Sequence, residues 1–309
     1  MTFLRKLPLP MAGTALGFAG LGNLLAPYHP LLRPFMGAIA ALILTALLIK
    51  ALVLPKDCKE ALRHPLVAST MATAPMALMI LSTYLPKGRL AQGLWILSLA
   101  AHGAYLLYFT AQFVVQQFKL PGVFPSWFIV YVGPAAASVT AAYHGFAAQG
   151  RWVFWGCLVL YLPILALVVR RTLSKPELPE AARPSLVIYA APASLLLTAY
   201  MACFSQKSPA LAWILLVVSL LFWLFATGLL FRLVKLAFYP SYSAFTFPFV
   251  ISALACKAFL GWQKMQGKSL PWLQNLNSLQ ILLATLLCLF TLWRYLDFLW
   301  RPAPQEPKQ

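Results

Sequence analysis

Acidic side chains are nearly missing from this sequence: Asp57, Glu60, Glu177, Glu180, Asp297 and Glu306 are all there are in 309 residues. Each falls in a loop, near the end of an apolar stretch or in the C-terminal tail. Transport coupled to protons or sodium usually rests on Asp, Glu or His buried at membrane depth, and a cation pore on rings of acids. The carboxylate versions of both are excluded. His102 and His144 remain as groups that could carry a proton, although each reads more simply as a structural histidine.

Other chemistries are missing too. The sequence has no Walker loop, no GxGxxG between a strand and a helix, no HExxH and no Ser-His-Asp set, so it does not read as an enzyme. The five cysteines, Cys58, Cys157, Cys203, Cys256 and Cys288, share no metal-ligand spacing and mostly lie in apolar runs. They imply no disulfide, metal or cofactor. Basic residues are scattered over loops and form no stripe, which argues against a nucleic-acid partner.

What is present is hydrophobic: 61% of the chain, with only 10% charged against about 25% in soluble domains. Apolar stretches of the ~20 residues that cross a bilayer read at about 7–26, 34–54, 66–85, 91–117, 124–146, 150–170, 184–204, 209–231, 241–262 and 275–299. Loops between them are short, so the expectation is an all-α integral membrane protein of ten spans forming one domain over 1–309. The N-terminal LPLPMAG ends in no small-residue cleavage pattern and is read as a retained first helix. The tails and the loops on their side hold 16 of the 24 Lys and Arg. By the positive-inside rule both termini are cytoplasmic, in a plasma or bacterial inner membrane. Loop 9–10, with Lys257, Lys264 and Lys268, runs against that count.

Each odd-numbered span carries a proline: Pro10, Pro75, Pro134, Pro192 and Pro248, separated by 65, 59, 58 and 56 residues. A fixed period marks a repeated unit, here a helical hairpin used five times. Parallel copies with equivalent kinks suggest an inner ring of five odd helices around a path, with the even helices outside. Even spans suit the outer place, being bulky and Leu-rich, as in LLFWLFATGLLF and ILLATLLCLFTL. A proline frees a carbonyl one turn earlier, tolerated at membrane depth only where protein or trapped water satisfies it.

Aligned on these prolines, the preceding residues are Leu9, Ala74, Gly133, Ala191 and Phe247, so only the ninth span, within AFTFPF, places an aromatic there. Four residues after the prolines stand Thr14, Met79, Ser138, Leu196 and Ser252; Ser194 and Thr246 lie close by. Each hydroxyl reads first as bonded to its own helix; as a set they could offer donors to a partly dehydrated anion. Gly13, Gly17 and Gly20 share one face of the first span and fit helix packing and pore lining equally. An uncharged path between two basic mouths suits an anion that passes without being held tightly.

These segments, above all LPLPMAGTALGFAGLGNLL, HPLVASTMATAPMALMILSTYL, FPSWFIVYVGPAAASVT and AFTFP, resemble the tellurite-resistance/dicarboxylate transporter family. It includes bacterial tellurite-resistance protein A, malate permeases and plant slow anion channels. The resemblance implies a central pore in each protomer, a homotrimer in membrane lipid, and small anions, C4-dicarboxylates such as malate among them, as cargo. It also implies an aromatic plug in the ninth span, which falls on Phe247. The expected pore lining is then Gly13, Thr14, Gly17, Ala74, Pro75, Gly133, Pro134, Ser138, Ala191, Pro192, Ser194, Thr246, Pro248 and Ser252. A proton-coupled dicarboxylate or sulfite carrier is the first alternative, and a non-transporting membrane scaffold or an intramembrane enzyme the second.

Overall fold

The computed structural model describes residues 2–174 and 176–301, so Glu306 lies outside the described residues. Those residues form helices and connecting turns, without a strand among them. Eight helical segments are long and apolar enough to cross a membrane: Leu32–Val53, Pro65–Tyr84, Arg89–Gln116, Ala147–Leu173, Glu180–Cys203, Pro209–Leu233, Pro240–Met265 and Pro271–Trp300. The first expected span is met by the shorter Met11–Leu25, and the fifth by two short helices, Trp127–Val132 and Ala135–Ala141.

Helices are numbered in chain order. The short α1 (Thr2–Lys6) precedes α2 (Met11–Leu25), α3 (Leu32–Val53) and α4 (Pro55–Ala61), the last a helix in what the sequence suggests is a plain loop. Then come α5 (Pro65–Met71), α6 (Thr73–Leu81), α7 (Arg89–Thr110), α8 (Trp127–Val132), α9 (Ala135–Ala141) and α10 (Ala147–Leu173). The chain ends with α11 (Ala191–Cys203), α12 (Pro209–Leu233), α13 (Phe247–Met265) and α14 (Pro271–Trp300).

The five spaced prolines do more than bend their spans. Each stands at the start of a new helix, before the first residue of α2 and α9 or in the first turn of α6, α11 and α13. A second helical piece precedes it: α1, α5, α8, or the 3₁₀ turns Glu180–Ala190 and Pro240–Phe245. Proline's missing N–H does no harm in a first turn, which is why the breaks fall there. Pro10, at the edge of its expected span, fits the same two-piece plan through α1.

The carbonyls left over at these breaks take donors from neighbouring segments. Pro134 cannot donate to Val130, and His102 on α7 donates its Nε2–H to that carbonyl at 3.0 Å. The Tyr105 hydroxyl reaches the Ala68 carbonyl at 2.7 Å, and the Lys50 ammonium reaches those of Arg5 and Leu7 at 3.0 and 2.6 Å. The Tyr295 hydroxyl bonds the Pro240 carbonyl. Outer helices therefore supply what water supplies elsewhere.

Helix α2 packs on α6 and α13, α6 on α9, α9 on α11, and α11 on α13. These inner pieces run in parallel. Ser69 meets Ser126 near the starts of the third and fifth segments at 2.5 Å, and Ser82 meets His144 near their ends at 2.8 Å. Between α2 and α13 the register advances together. A Cβ on Gly13 would fall 3.1 Å from Ser243, one on Gly17 would collide with Thr246, and one on Gly20 would reach within 2.9 Å of Val250. The glycine stripe is thus a packing face. The starts of the inner segments define a near end of the molecule and their C-termini a far end.

Candidate functional site

Inner segments enclose a cavity with space of about 40 Å³ for the centres of water-sized molecules, where one water needs ~10–15 Å³. A few waters fit. Every lining residue comes from a proline-bearing segment, and none carries a charge. The lining begins at Leu66, Ser185 and Ser241, near the segment starts, and ends within two turns after the prolines, at Leu16, Met76 and Leu195. The cavity therefore occupies the near half of the bundle of inner segments.

Two segments line it in one register. Ser185, Ile188 and Ala191 stand seven, four and one residues before Pro192, and Ser241, Ala244 and Phe247 stand likewise before Pro248. Phe247 has only 5% of its surface exposed. A Cβ on Gly20 would lie 3.6 Å from its ring, so the ring leans on α2 where α2 has no side chain.

Of the residues the sequence singles out, Gly13, Gly133, Ala191, Pro192, Phe247 and Pro248 line the cavity. Ala74 turns the other way, into an outer groove between α3 and α6. Pro75, Pro134 and the buried Thr14 are outside the lining, and Gly17 is filled by its contact with Thr246. Ser138 donates to the Gly150 carbonyl at 2.8 Å, and Thr246 to those of Gly13 and Ser243 at 3.0 and 2.8 Å. Ser194 joins Ser219 and Ser252 at 2.7 and 3.0 Å, tying α11, α12 and α13 together behind the cavity wall. The column four residues after each proline is thus a packing column, and the lining column lies before it.

Of the five hydroxyls that line the cavity, those of Thr70, Thr73, Ser185 and Ser241 are committed as donors, which leaves Ser243. Thr70 donates to Leu66, Thr73 to Thr70, Ser185 to Ala182 and Ser241 to Ala181, at 2.8, 2.7, 2.6 and 2.5 Å. A hydroxyl has one proton, so these groups turn lone pairs, not donors, to the cavity. What mainly remains for an anion is the positive end of a helix, about half a unit charge; α2, α11 and α13 all begin at the cavity wall. His102 and His144 are outside the lining, at Val130 and Ser82. All five cysteines are free and buried, and the described residues hold no cluster of metal-binding side chains.

Over 153 residues the chain is 29% identical to an uncharacterized transporter of Methanocaldococcus jannaschii. The match takes in 45% of this chain and 45% of that relative, about half the length of each. The family described as voltage-dependent anion channel (SLAC1) matches residues 6–296. Its match spans every proline-bearing segment and the whole cavity wall, and the chain belongs to that family.

Proposed function

We propose that this protein is a ten-span membrane protein that passes small anions, C4-dicarboxylates such as malate among them, along a path between its five odd spans, with Phe247 as the gate. The observation that carries this reading is the cavity. It is walled only by proline-bearing segments, bears no charged side chain, and reaches Phe247 at the inner ends of three helices. Membership of the anion channel family supports the cargo class.

With four of the five lining hydroxyls committed as donors, an anion in the path is stabilised mainly by helix ends and trapped water. Such weak, delocalised attraction favours throughput over tight binding, which conduction requires. Phe247 blocks the path while its ring rests against Gly20, and movement of that ring is the opening step. The protein sits in a plasma or bacterial inner membrane with both termini in the cytoplasm, and works as a homotrimer with one path per protomer.

Purified protein in liposomes tests this by anion flux with and without a pH gradient. Phe247→Ala raises flux about tenfold or more, equivalent to ~1.4 kcal/mol off the barrier. Phe249→Ala, buried outside the lining, leaves flux within twofold of the wild type. Equal effects remove Phe247 from the gate. Flux that requires the proton gradient makes the protein a coupled carrier, and no flux even in Phe247→Ala makes it a scaffold.

A further inference from the structure

The far end of the molecule poses an electrostatic problem for any anion path. Parallel inner helices direct their C-terminal ends there, each worth about −0.5 unit charge. Acids make the near end different: all five acidic residues among the described ones, Asp57, Glu60, Glu177, Glu180 and Asp297, lie on near-end elements. Far-end loops and helix ends hold Arg33, Lys87, Arg89, Arg151, Lys207, Lys257, Lys264 and Lys268 with no acid among them. These eight are the minority of the 24 Lys and Arg, as the positive-inside rule requires of the outer side, but with no acid to balance them their placement calls for a local reason.

Hydrogen bonds supply one. The Lys257 ammonium donates to the Leu24 carbonyl, in the last turn of α2, at 2.9 Å. The Arg33 guanidinium donates to the Thr83 carbonyl at the end of the third segment at 2.7 Å and is fixed by Asn23 at 2.9 Å. Arg151 and Lys207 reach the Cys203 and Phe204 carbonyls that end α11, at 3.4 and 2.5 Å. The fifth segment ends on a neutral donor, Gln92, which bonds the His144 carbonyl at 3.1 Å. Three of the inner segments therefore end under a cation bonded to the carbonyls that carry the negative end.

We infer that Lys257, Arg33, Arg151 and Lys207 form a basic collar that cancels the negative ends of the inner helices and sets how readily an anion enters from the far side. The collar rests on the anion-path reading. It acts on entry from one side only, because the near-half cavity sees the opposite helix ends.

The test uses the full chain with Phe247→Ala, in planar bilayers, measuring anion current in each direction. Lys257→Met and Arg33→Met lower current entering from the far side about threefold per charge removed, the size of one unit charge acting across a few ångströms of water. Current entering from the near side stays unchanged. The asymmetry holds at about 0.1 M salt and fades at about 1 M, where the screening length falls to ~3 Å. Lys257→Arg restores the parent behaviour. Lys264→Gln, which changes an exposed side chain in the last turn of α13, gives a smaller shift of the same sign and serves if the Met variants fail to fold. Equal loss in both directions, or loss that salt does not alter, overturns the collar alone. Absence of any anion current in Phe247→Ala removes the anion path and the collar with it.

Discussion

The segments Glu180–Cys203 and Pro209–Leu233 are sequence neighbours of 24 and 25 residues, both apolar enough to cross a membrane. In the first, 83% of the most apolar stretch is buried; in the second, 33%. The more apolar of the two is the more exposed. Lipid tails are as apolar as leucine, so apolarity alone does not send a span inside, and small residues favour contact with protein. Burial divides the other long spans the same way whatever their apolarity: Pro65–Tyr84 and Pro240–Met265 have 61% and 67% buried, while the even helices range from 22% to 39%, the lowest being Arg89–Gln116, which is also the least apolar of the eight. Inner segments are also broken and donor-hungry, whereas outer ones are continuous and supply donors.

One substitution made in both regions separates them most. A Cβ on Gly17 of α2 would collide with Thr246 of α13, while one on Gly156 of α10 meets nothing within 4 Å. Gly17→Ala destabilises the protein by about 3 kcal/mol, the upper part of the overpacking range, and Gly156→Ala holds or raises stability through helix propensity. Thermal melts in detergent, followed by loss of the monodisperse peak, read both. A mild Gly17→Ala would mean that α2 and α13 slide apart easily, and the inner packing would be less fixed than its glycine stripe suggests.

A smaller effect probes the exchange of donors. His102→Leu leaves the Val130 carbonyl without its 3.0 Å bond, a loss of about 2 kcal/mol for a buried acceptor, and His102→Gln recovers part of it. In a Pro134→Ala background residue 134 regains an N–H that can reach Val130, so the cost of His102→Leu shrinks. The double-mutant cycle gives a coupling energy of about 1 kcal/mol in that direction. Simple additivity would show that His102 acts on something other than the carbonyl that proline frees.

Much of this was legible in the sequence and some was not, for definable reasons. Eight of the ten expected stretches fall, within a few residues, on helical segments long and apolar enough to cross a membrane, because lipid imposes length and apolarity on a crossing. The period of the prolines marked the segments that line the cavity. Direction around the helix did not come through: Ala74 and Gly133 share a column, yet one faces the outer groove and the other the cavity. The column before proline mixes both because each break reorients the chain differently. Comparison at four and seven residues before Pro192 and Pro248 would have found Ser185, Ile188, Ser241 and Ala244. Donors such as Tyr105 and Tyr295 were hidden altogether, since nothing in an outer helix's composition says which side chain turns inward.

Pro163 offers the smallest and most pointed test. It is a proline inside α10, an outer helix, and α10 runs through it unbroken from Ala147 to Leu173. Both Pro163 and Val159, whose carbonyl it frees, are exposed. Inner prolines stand beside neighbours that fill their breaks, whereas this one lies on an exposed face of a continuous helix. Pro163→Ala returns an N–H to the helix and raises stability by about 1 kcal/mol, the net worth of one hydrogen bond, with anion flux unchanged. The same replacement at Pro192 removes a break at the cavity wall and changes flux. If Pro163→Ala lowered stability or altered flux, Pro163 would be a working part of the transport unit, and the division between a lining inner set and a supporting outer set would fail at that helix.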